Sequence, residues 1–485
     1  MKGLLSAGIA VATLLSVPAL AADMPVKAPV YKSAPAEVFD WGGFYIGANV
    51  GYGVAKDPSS SNLLVDSAFT LEDRFNLSSP GVSGGGQVGY NWQASPNWVV
   101  GAEADVQGSA QKDSTTCVTG CNNVVGIVTR VTQELPWFGT LRGRLGWTDG
   151  PALYYLTGGL AYGGVTTGAT VDLGPGPVSA SFSHTTLGWT FGGGIEAQVV
   201  GNWTAKVEYL YIDLGNVRDS FHYRRTIIAT ESSDIRNHLV RLGLNYKFGD
   251  PVARSKAPHR MRPAVSAVNW SGFYLGANVG YGVARNVSGS NASLPGGFFF
   301  PETFNVSPQG VLGGGQVGYN WQAAPNWVFG VEADFQGSAQ KDSTTCVTGC
   351  INVAILGMTQ VTQKLPWFGT LRGRLGWTSG PALYYLTAGL AYGGVTTDVT
   401  ADLGLGPVSA SFSHAKSGWT IGGGIETQVA GNWTAKVEYL YIDLGSVTDS
   451  FIYTPFPIIN FTESSDIRNH VVRLALNYRF GFGTR

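Results

Sequence analysis

Charged residues are scarce in this chain, and long apolar runs are almost absent. Asp, Glu, Lys and Arg make up 13% of its 485 residues and the formal net charge is -1, so nothing in the charge balance favours nucleic acid or an acidic partner. The single long apolar run covers residues 3–17 and is too short for a membrane-spanning helix. With Lys2 before it and Ala19-Leu20-Ala21 after it, this run predicts a signal peptide over residues 1–21.

Recognisable catalytic and cofactor motifs are also missing from the sequence. It contains no Walker loop, no zinc-binding helix and no basic nucleic-acid patch. Histidines are few, and no Ser, Cys or second carboxylate forms a catalytic set with them, although His238 and His470 lie close in sequence to Asp234 and Asp466. We therefore expect no enzyme activity, no cofactor, no metal site and no nucleic-acid partner.

What the sequence does contain is a tandem repeat of almost its whole length. The segment WGGFYIGANVGYGVA from Trp41 recurs as WSGFYLGANVGYGVA from Trp270, and SSDIRNH recurs at Ser232 and Ser464. The offset between the copies stays between 229 and 232 residues, which is the size of a domain and not of a small solenoid repeat. The sequence therefore predicts two similar structural units.

Eight segments in the first copy alternate apolar and polar residues, as two-faced β-strands do. In the segment from Trp203, alternate residues are aromatic or apolar, whereas Thr204, Lys206 and Glu208 share the other face. Each segment reaches the ~9–11 residues of a tilted transmembrane strand, and without helices only a closed barrel satisfies the backbone in lipid. The predicted strands are Phe44–Ala55, Gly84–Gln93, Trp98–Ser109, Trp137–Thr148, Leu153–Thr166, Gly188–Val200, Trp203–Leu214 and Asn237–Phe248.

The connections between these segments alternate between tight turns and long polar stretches. Short turns at one end and long loops at the other are typical of outer-membrane barrels, whose turns are periplasmic and whose loops are extracellular. Aromatic residues follow the same division: Trp98 and Trp203 are expected at the periplasmic ends of their strands, and Trp137 and Trp189 towards the extracellular ends. Two such bands suit the two membrane interfaces.

The predicted fold class is all-β, a transmembrane antiparallel up-and-down β-barrel. Two eight-stranded barrels in tandem are favoured, because proline and basic residues between the copies indicate an extended spacer. The alternative is one sixteen-stranded barrel, which would enclose an aqueous channel. The predicted domains are a signal peptide at 1–21, a periplasmic leader at 22–40, a first barrel at 41–249, a linker at 250–269 and a second barrel at 270–485.

Inward-facing positions carry four acidic and four basic residues in each copy. Because buried charges must be paired and side chains fill an eight-stranded barrel, these residues predict a salt-bridge network that plugs each lumen. An ion-selective constriction, the alternative, would favour one sign of charge. With adjacent strands about 4.8 Å apart, Arg142 and Arg144 are expected near Glu103 and Asp105. The network comprises Glu103, Asp105, Arg142, Arg144, Glu196, Lys206, Glu208 and Arg241, then Glu332, Asp334, Arg372, Arg374, Glu426, Lys436, Glu438 and Arg473.

Four cysteines form two identical CVTGC motifs in corresponding polar loops. An exported chain enters an oxidising compartment, so short disulfides within the loops are predicted, and free thiol pairs are the alternative. The predicted pairs are Cys117 with Cys121 and Cys346 with Cys350.

The leader before Trp41, the WGGFYIGANVGYG opening and the closing VRLGLNYKF resemble the small eight-stranded outer-membrane barrels of Gram-negative bacteria. These are relatives of the OmpA transmembrane domain and are often called porin-family proteins. The resemblance implies contact with outer-membrane lipid and recognition of the closing strand by the barrel-assembly machinery. The assembly signal falls on Gly243, Tyr246 and Phe248 in the first copy and on Tyr478 and Phe480 in the second. In the second copy Ala475 replaces the glycine, and residues 481–485 follow Phe480.

The function expected from this pattern is structural. We expect an outer-membrane protein that supports envelope integrity and presents surface loops, without catalysis. The alternatives are a general porin for small hydrophilic solutes, and binding of haem or a host surface through the extracellular loops. Haem binding is included because the resemblance is to a family whose members have been linked to haem. Conductance in planar bilayers would distinguish a porin from a closed barrel.

Overall fold

The computed structural model describes residues 39–65, 69–116, 128–172, 176–223, 227–249, 268–294, 298–345, 358–402, 406–453 and 459–480. The predicted signal peptide, residues 250–267 of the linker and all four cysteines lie outside these ranges. Within them, no helix is long and apolar enough to cross a lipid bilayer. The described elements are all β-strands.

Within the described ranges, each copy of the repeat forms ten strands. Those of the first copy are β1 Gly43–Ala55, β2 Asp57–Val65, β3 Phe69–Leu77, β4 Pro80–Ser95, β5 Trp98–Thr116, β6 Val128–Asp149, β7 Ala152–Asp172, β8 Pro177–Val200, β9 Trp203–Tyr223 and β10 Ile227–Lys247. Those of the second copy are β11 Gly272–Ala284, β12 Asn286–Leu294, β13 Phe298–Val306, β14 Gln309–Ala324, β15 Trp327–Thr345, β16 Met358–Ser379, β17 Ala382–Asp402, β18 Pro407–Ala430, β19 Trp433–Ile452 and β20 Asn460–Phe480.

Eight strands of the first copy close into a ring. They pair antiparallel in the order β1-β4-β5-β6-β7-β8-β9-β10, and β10 pairs back to β1, with Tyr45 opposite Lys247 and Ala55 opposite Asn237. The second copy closes in the same way through β11 and β20. Two tandem barrels are therefore confirmed. The sixteen-stranded alternative is wrong, because β10 bonds to β1 of its own copy and each sheet closes on itself.

The strands are longer than the apolar pattern predicted. Strand β8 begins at Pro177, eleven residues before the predicted Gly188, and the stretch predicted as a polar loop after Ala55 contains the β2–β3 hairpin. Strand β2 of this hairpin pairs with the first residues of β10, from Ile227 to Ser233. The extensions are rich in Ser and Thr, and they stand beyond the ~25 Å apolar band, where no lipid-facing apolar residues are required. Apolar alternation therefore could not reveal them.

Burial follows the alternation along each strand. On β6, Leu141 and Leu145 are exposed on the outer surface, whereas Arg142 and Arg144 are buried in the lumen. Glycines with positive φ lie in the tight turns, and Gly150 has a φ of 72°. Glycine adopts this conformation readily because it has no Cβ. The sheet thus presents apolar side chains outward and encloses its charged ones.

Because each ring closes on itself, cutting the linker should leave both barrels folded. A protease site inserted at Pro258 and cut in mild detergent should give two halves that each migrate faster before heating than after heating on SDS gels. Loss of this heat-modifiability in both halves upon cutting would contradict independent closure. An uncut sample carrying the same insertion is the matched control.

Candidate functional site: the closed lumen

The residues predicted to face the lumen meet in one buried layer in each barrel. Arg142 on β6 contacts Glu103 and lies 2.9 Å from Asp105. It also reaches across the lumen to Glu208 on β9 at 3.0 Å. Arg241 on β10 joins the same carboxylates, 2.9 Å from Asp105 and 2.6 Å from Glu208. Each arginine therefore bridges carboxylates from different strands.

Arg144 lies near Glu103, as expected, but it also has a closer partner that was not expected. Its guanidinium lies 2.8 Å from Glu196 on β8 and 3.9 Å from Glu103, so its shorter ion pair is with a strand two places along the ring, beyond β7. Its Cζ also lies 4.1 Å from the centre of the Tyr155 ring and 5.7 Å from that of Tyr45. Cation–π contact with two buried rings adds to the ion pair.

Two tyrosines complete the layer, and the pattern of charges did not identify them. The hydroxyl of Tyr45 donates to Glu103 at 2.7 Å, and that of Tyr155 donates to Glu208 at 2.9 Å. Tyr45 could have been found from its place between exposed Phe44 and Ile46, which puts it on the inner face. Room for its ring requires glycine at position 89, where a Cβ would overlap the phenol ring.

The layer is electrically balanced and buried. Its remaining cation, Lys206, lies 2.9 Å from Glu103, and all eight charged side chains of the layer in each barrel are buried. The second barrel repeats the geometry, with Arg372 at 2.9 Å from Asp334 and Arg374 at 2.8 Å from Glu426. Since an unpaired buried charge costs several kcal/mol, each member depends on the others.

Apolar clusters seal the lumen on both sides of this layer. At the periplasmic end, Trp41 is fully buried, and its indole nitrogen donates to the carbonyl of Gly150 at 3.0 Å. It packs in a cluster with Phe39, Val99, Leu153 and Tyr155. Towards the extracellular end a second cluster contains Leu135, Phe138, Ala161, Val165, Leu210, Ile212, Leu214, Val217, Ile235 and Leu239. A solute on the barrel axis would meet two apolar barriers and one charged barrier.

Comparison with known proteins identifies the family. The sequence model of the outer membrane protein beta-barrel domain matches residues 7–248 and again 261–480. The chain belongs to this family. Its place is therefore the outer membrane of a Gram-negative cell, in contact with the membrane lipid.

Two relatives illustrate the likeness. The chain is 38% identical over 256 residues to a 31 kDa outer-membrane immunogenic protein of Brucella melitensis, an alignment that covers 51% of this chain and 100% of that protein. It is 34% identical over 187 residues to a 22 kDa outer membrane protein of Rhizobium leguminosarum, covering 38% of this chain and 69% of that one. Half of this chain thus corresponds to one whole relative.

Among solved structures, Neisserial surface protein A is similar to 42% of this chain and the match covers 97% of that protein. The TM-score is 0.20 and the sequence identity 14%, so the likeness carries no argument about function.

Two histidines of the first barrel each contact one polar side chain. His184 lies 2.6 Å from Asp219, and His238 accepts or donates a hydrogen bond with the Tyr209 hydroxyl at 2.8 Å. His238 therefore faces outward against aromatic side chains and does not pair with Asp234, its neighbour in sequence. Within the described ranges, no three His, Cys, Asp or Glu residues are grouped to hold a metal ion.

The predicted assembly signal lies at the periplasmic end of each closing strand. The rings of Tyr246 and Phe248 meet edge to face with centroids 5.4 Å apart, and those of Tyr478 and Phe480 do so at 5.2 Å. Gly243 faces the lumen, where a Cβ would approach the Lys206 side chain. These positions suit recognition of the outward rings, and their role in assembly stays a prediction.

Breaking the charged layer should destabilise one barrel only. Arg142→Met would leave three buried carboxylates with one partner fewer, at a cost of about 3–5 kcal/mol. The first barrel should then lose its heat-modifiable form at a lower temperature, and Arg372→Met should do the same to the second barrel.

The matched control for this loss is Arg236→Met. The Arg236 side chain is 42% exposed and lies 3.1 Å from Asp234, and an exposed pair of this kind contributes about 0–1 kcal/mol. If Arg142→Met left the unfolding temperature unchanged and created conductance, the arginine would line a wet channel.

Proposed function

We propose that the protein is a structural component of the outer membrane, without catalysis. Its two closed barrels support envelope integrity and hold extracellular loops at the cell surface. The observation that carries the proposal is the charged layer between two apolar clusters, with Trp41 below it and Phe138 above it. A general porin needs a continuous aqueous path, and an ion-selective pore favours one sign of charge. The balanced, buried interior favours neither.

The long strand extensions support the presentation of loops. Strands β7 and β8 continue together as far as the pairing of Asp172 with Pro177, well beyond the paired segment needed to cross the lipid. Loops on such a rigid scaffold are the usual place for recognition. The Brucella relative is described as an immunogenic outer-membrane protein, which is consistent with an exposed surface. The barrel-assembly machinery and an extracellular ligand of the loops are the proposed partners.

The proposal predicts that the purified protein forms no stable channel. In planar lipid bilayers, the folded chain should give no uniform conductance steps, because charged and apolar side chains fill both lumens. A sixteen-stranded porin in the same bilayers serves as the positive control, and detergent alone as the blank. Large, uniform steps from the heat-modifiable protein would refute the closed barrel and favour the porin.

A further inference from the structure

On one face of each barrel the outward apolar side chains are buried, whereas elsewhere on its outer surface such side chains are exposed. Outward apolar side chains such as Leu141 and Leu160 are 54% and 60% exposed. Ile195 on β8 and Val207 on β9 also point outward, yet they are 3% and 4% exposed. They pack in one cluster with the corresponding Ile425 and Val437 of the second barrel, so the two barrels bury the same face against each other.

Above the membrane, two ion pairs join the same faces. Lys56 of the first barrel lies 2.7 Å from Asp342 of the second. In reverse, Arg285 of the second lies 2.9 Å from Asp113 of the first. Lys56 and Arg285 occupy equivalent positions of the repeat, as do Asp113 and Asp342. Each barrel thus contributes one cation and one carboxylate in the same two places.

The carboxylates of these ion pairs lie among buried polar side chains. The Asn305 side chain donates to Asp113 at 2.9 Å, and the hydroxyl groups of Ser78 and Ser307 contact one another. Burial raises the pKa of the Asp113 carboxyl from its ordinary value, while the backbone amide of Ser78 and the guanidinium of Arg285 act in the opposite direction. Removing either cation therefore leaves a buried carboxylate without its counter-charge.

Ring contacts between these two regions follow the same symmetry. Tyr52 stacks on His470 of the second barrel with centroids 4.9 Å apart, and His238 stacks on Tyr281 at 5.2 Å. Each of these contacts thus has its reverse, as at the interface of a two-fold symmetric dimer, where one patch binds its own copy.

We propose that this face is a self-complementary docking surface and that the tandem chain is a covalently joined barrel dimer. A single barrel carries both halves of the interface, namely Lys56 and Asp113 in the first copy. Separated from its neighbour, the first barrel binds a second copy of itself through reciprocal Lys56–Asp113 pairs. In the intact chain the face is occupied internally, so the intact chain stays monomeric.

The first test uses the full chain with a protease site at Pro258. After cutting in mild detergent, the two halves should elute as one complex. The double substitution Lys56→Glu and Arg285→Glu places like charges at both sites. The concentration at which the halves separate should then be on the order of a hundredfold higher than it is for the unaltered halves. Heat-modifiability of each half checks that the variants fold.

The second test uses the first half recovered folded from the cut chain. Alone it should form a dimer. Lys56→Glu halves and Asp113→Lys halves should each be monomeric, because each homodimer faces like charges at both sites. A mixture of the two variants should dimerise. In the mixed pair, the two substituted side chains carry opposite charges and meet at one site, while the unaltered lysine and aspartate meet at the other.

Three outcomes would overturn the proposal. The cut halves of the unaltered chain could separate at micromolar concentration. The first half could stay monomeric where the cut pair remains associated. The charge-complementary mixture could associate no better than either variant alone. A conductance result would not affect this test, since it concerns the lumen and not the outer face.

Discussion

Closure of each sheet around its own buried ions is the constraint on which the rest of the structure depends. Arg142 on β6 holds Glu208 on β9 across the lumen, so strands that are not neighbours are fixed to one another. If one strand left the ring, charged side chains would face lipid and an open sheet edge would lose its hydrogen bonds. The charged layer therefore joins non-adjacent strands and fills the lumen, while the apolar face points outward.

The sequence predicted the barrel because period-two alternation states directly which residues face inward. Arg142 and Lys206 could be placed in the lumen from alternation alone. The ion pair of Arg144 with Glu196 could not be predicted, since Glu196 lies two strands away on β8 and alternation does not say which non-adjacent inward side chains meet. The position of Trp41 in the lumen was not predicted for another reason. Trp41 precedes the first strand, where alternation gives no information, and it enters the lumen from the periplasmic end.

The docking face was equally hidden in the sequence. Val207 and Ile195 alternate with inward-facing residues just as lipid-facing residues do, because lipid and a neighbouring barrel surface are both apolar. Only their burial separates them from residues such as Leu141. The extracellular extensions were missed for another reason: their outward face is polar, and only inward residues such as Val171 and Phe221 are apolar and buried. Apolar alternation thus locates the part of a strand in lipid and little else.

Comparing the sequences of the two copies indicates which contacts have been retained since the duplication. Residues 57–80 and 286–309 differ at most positions, yet Asn76 and Ser78 recur as Asn305 and Ser307. The cation before this stretch also recurs, as Lys56 in one copy and Arg285 in the other. A Lys and an Arg differ in shape but not in charge. The hairpin between them differs at most positions, and the residues that meet the other barrel have kept their chemistry.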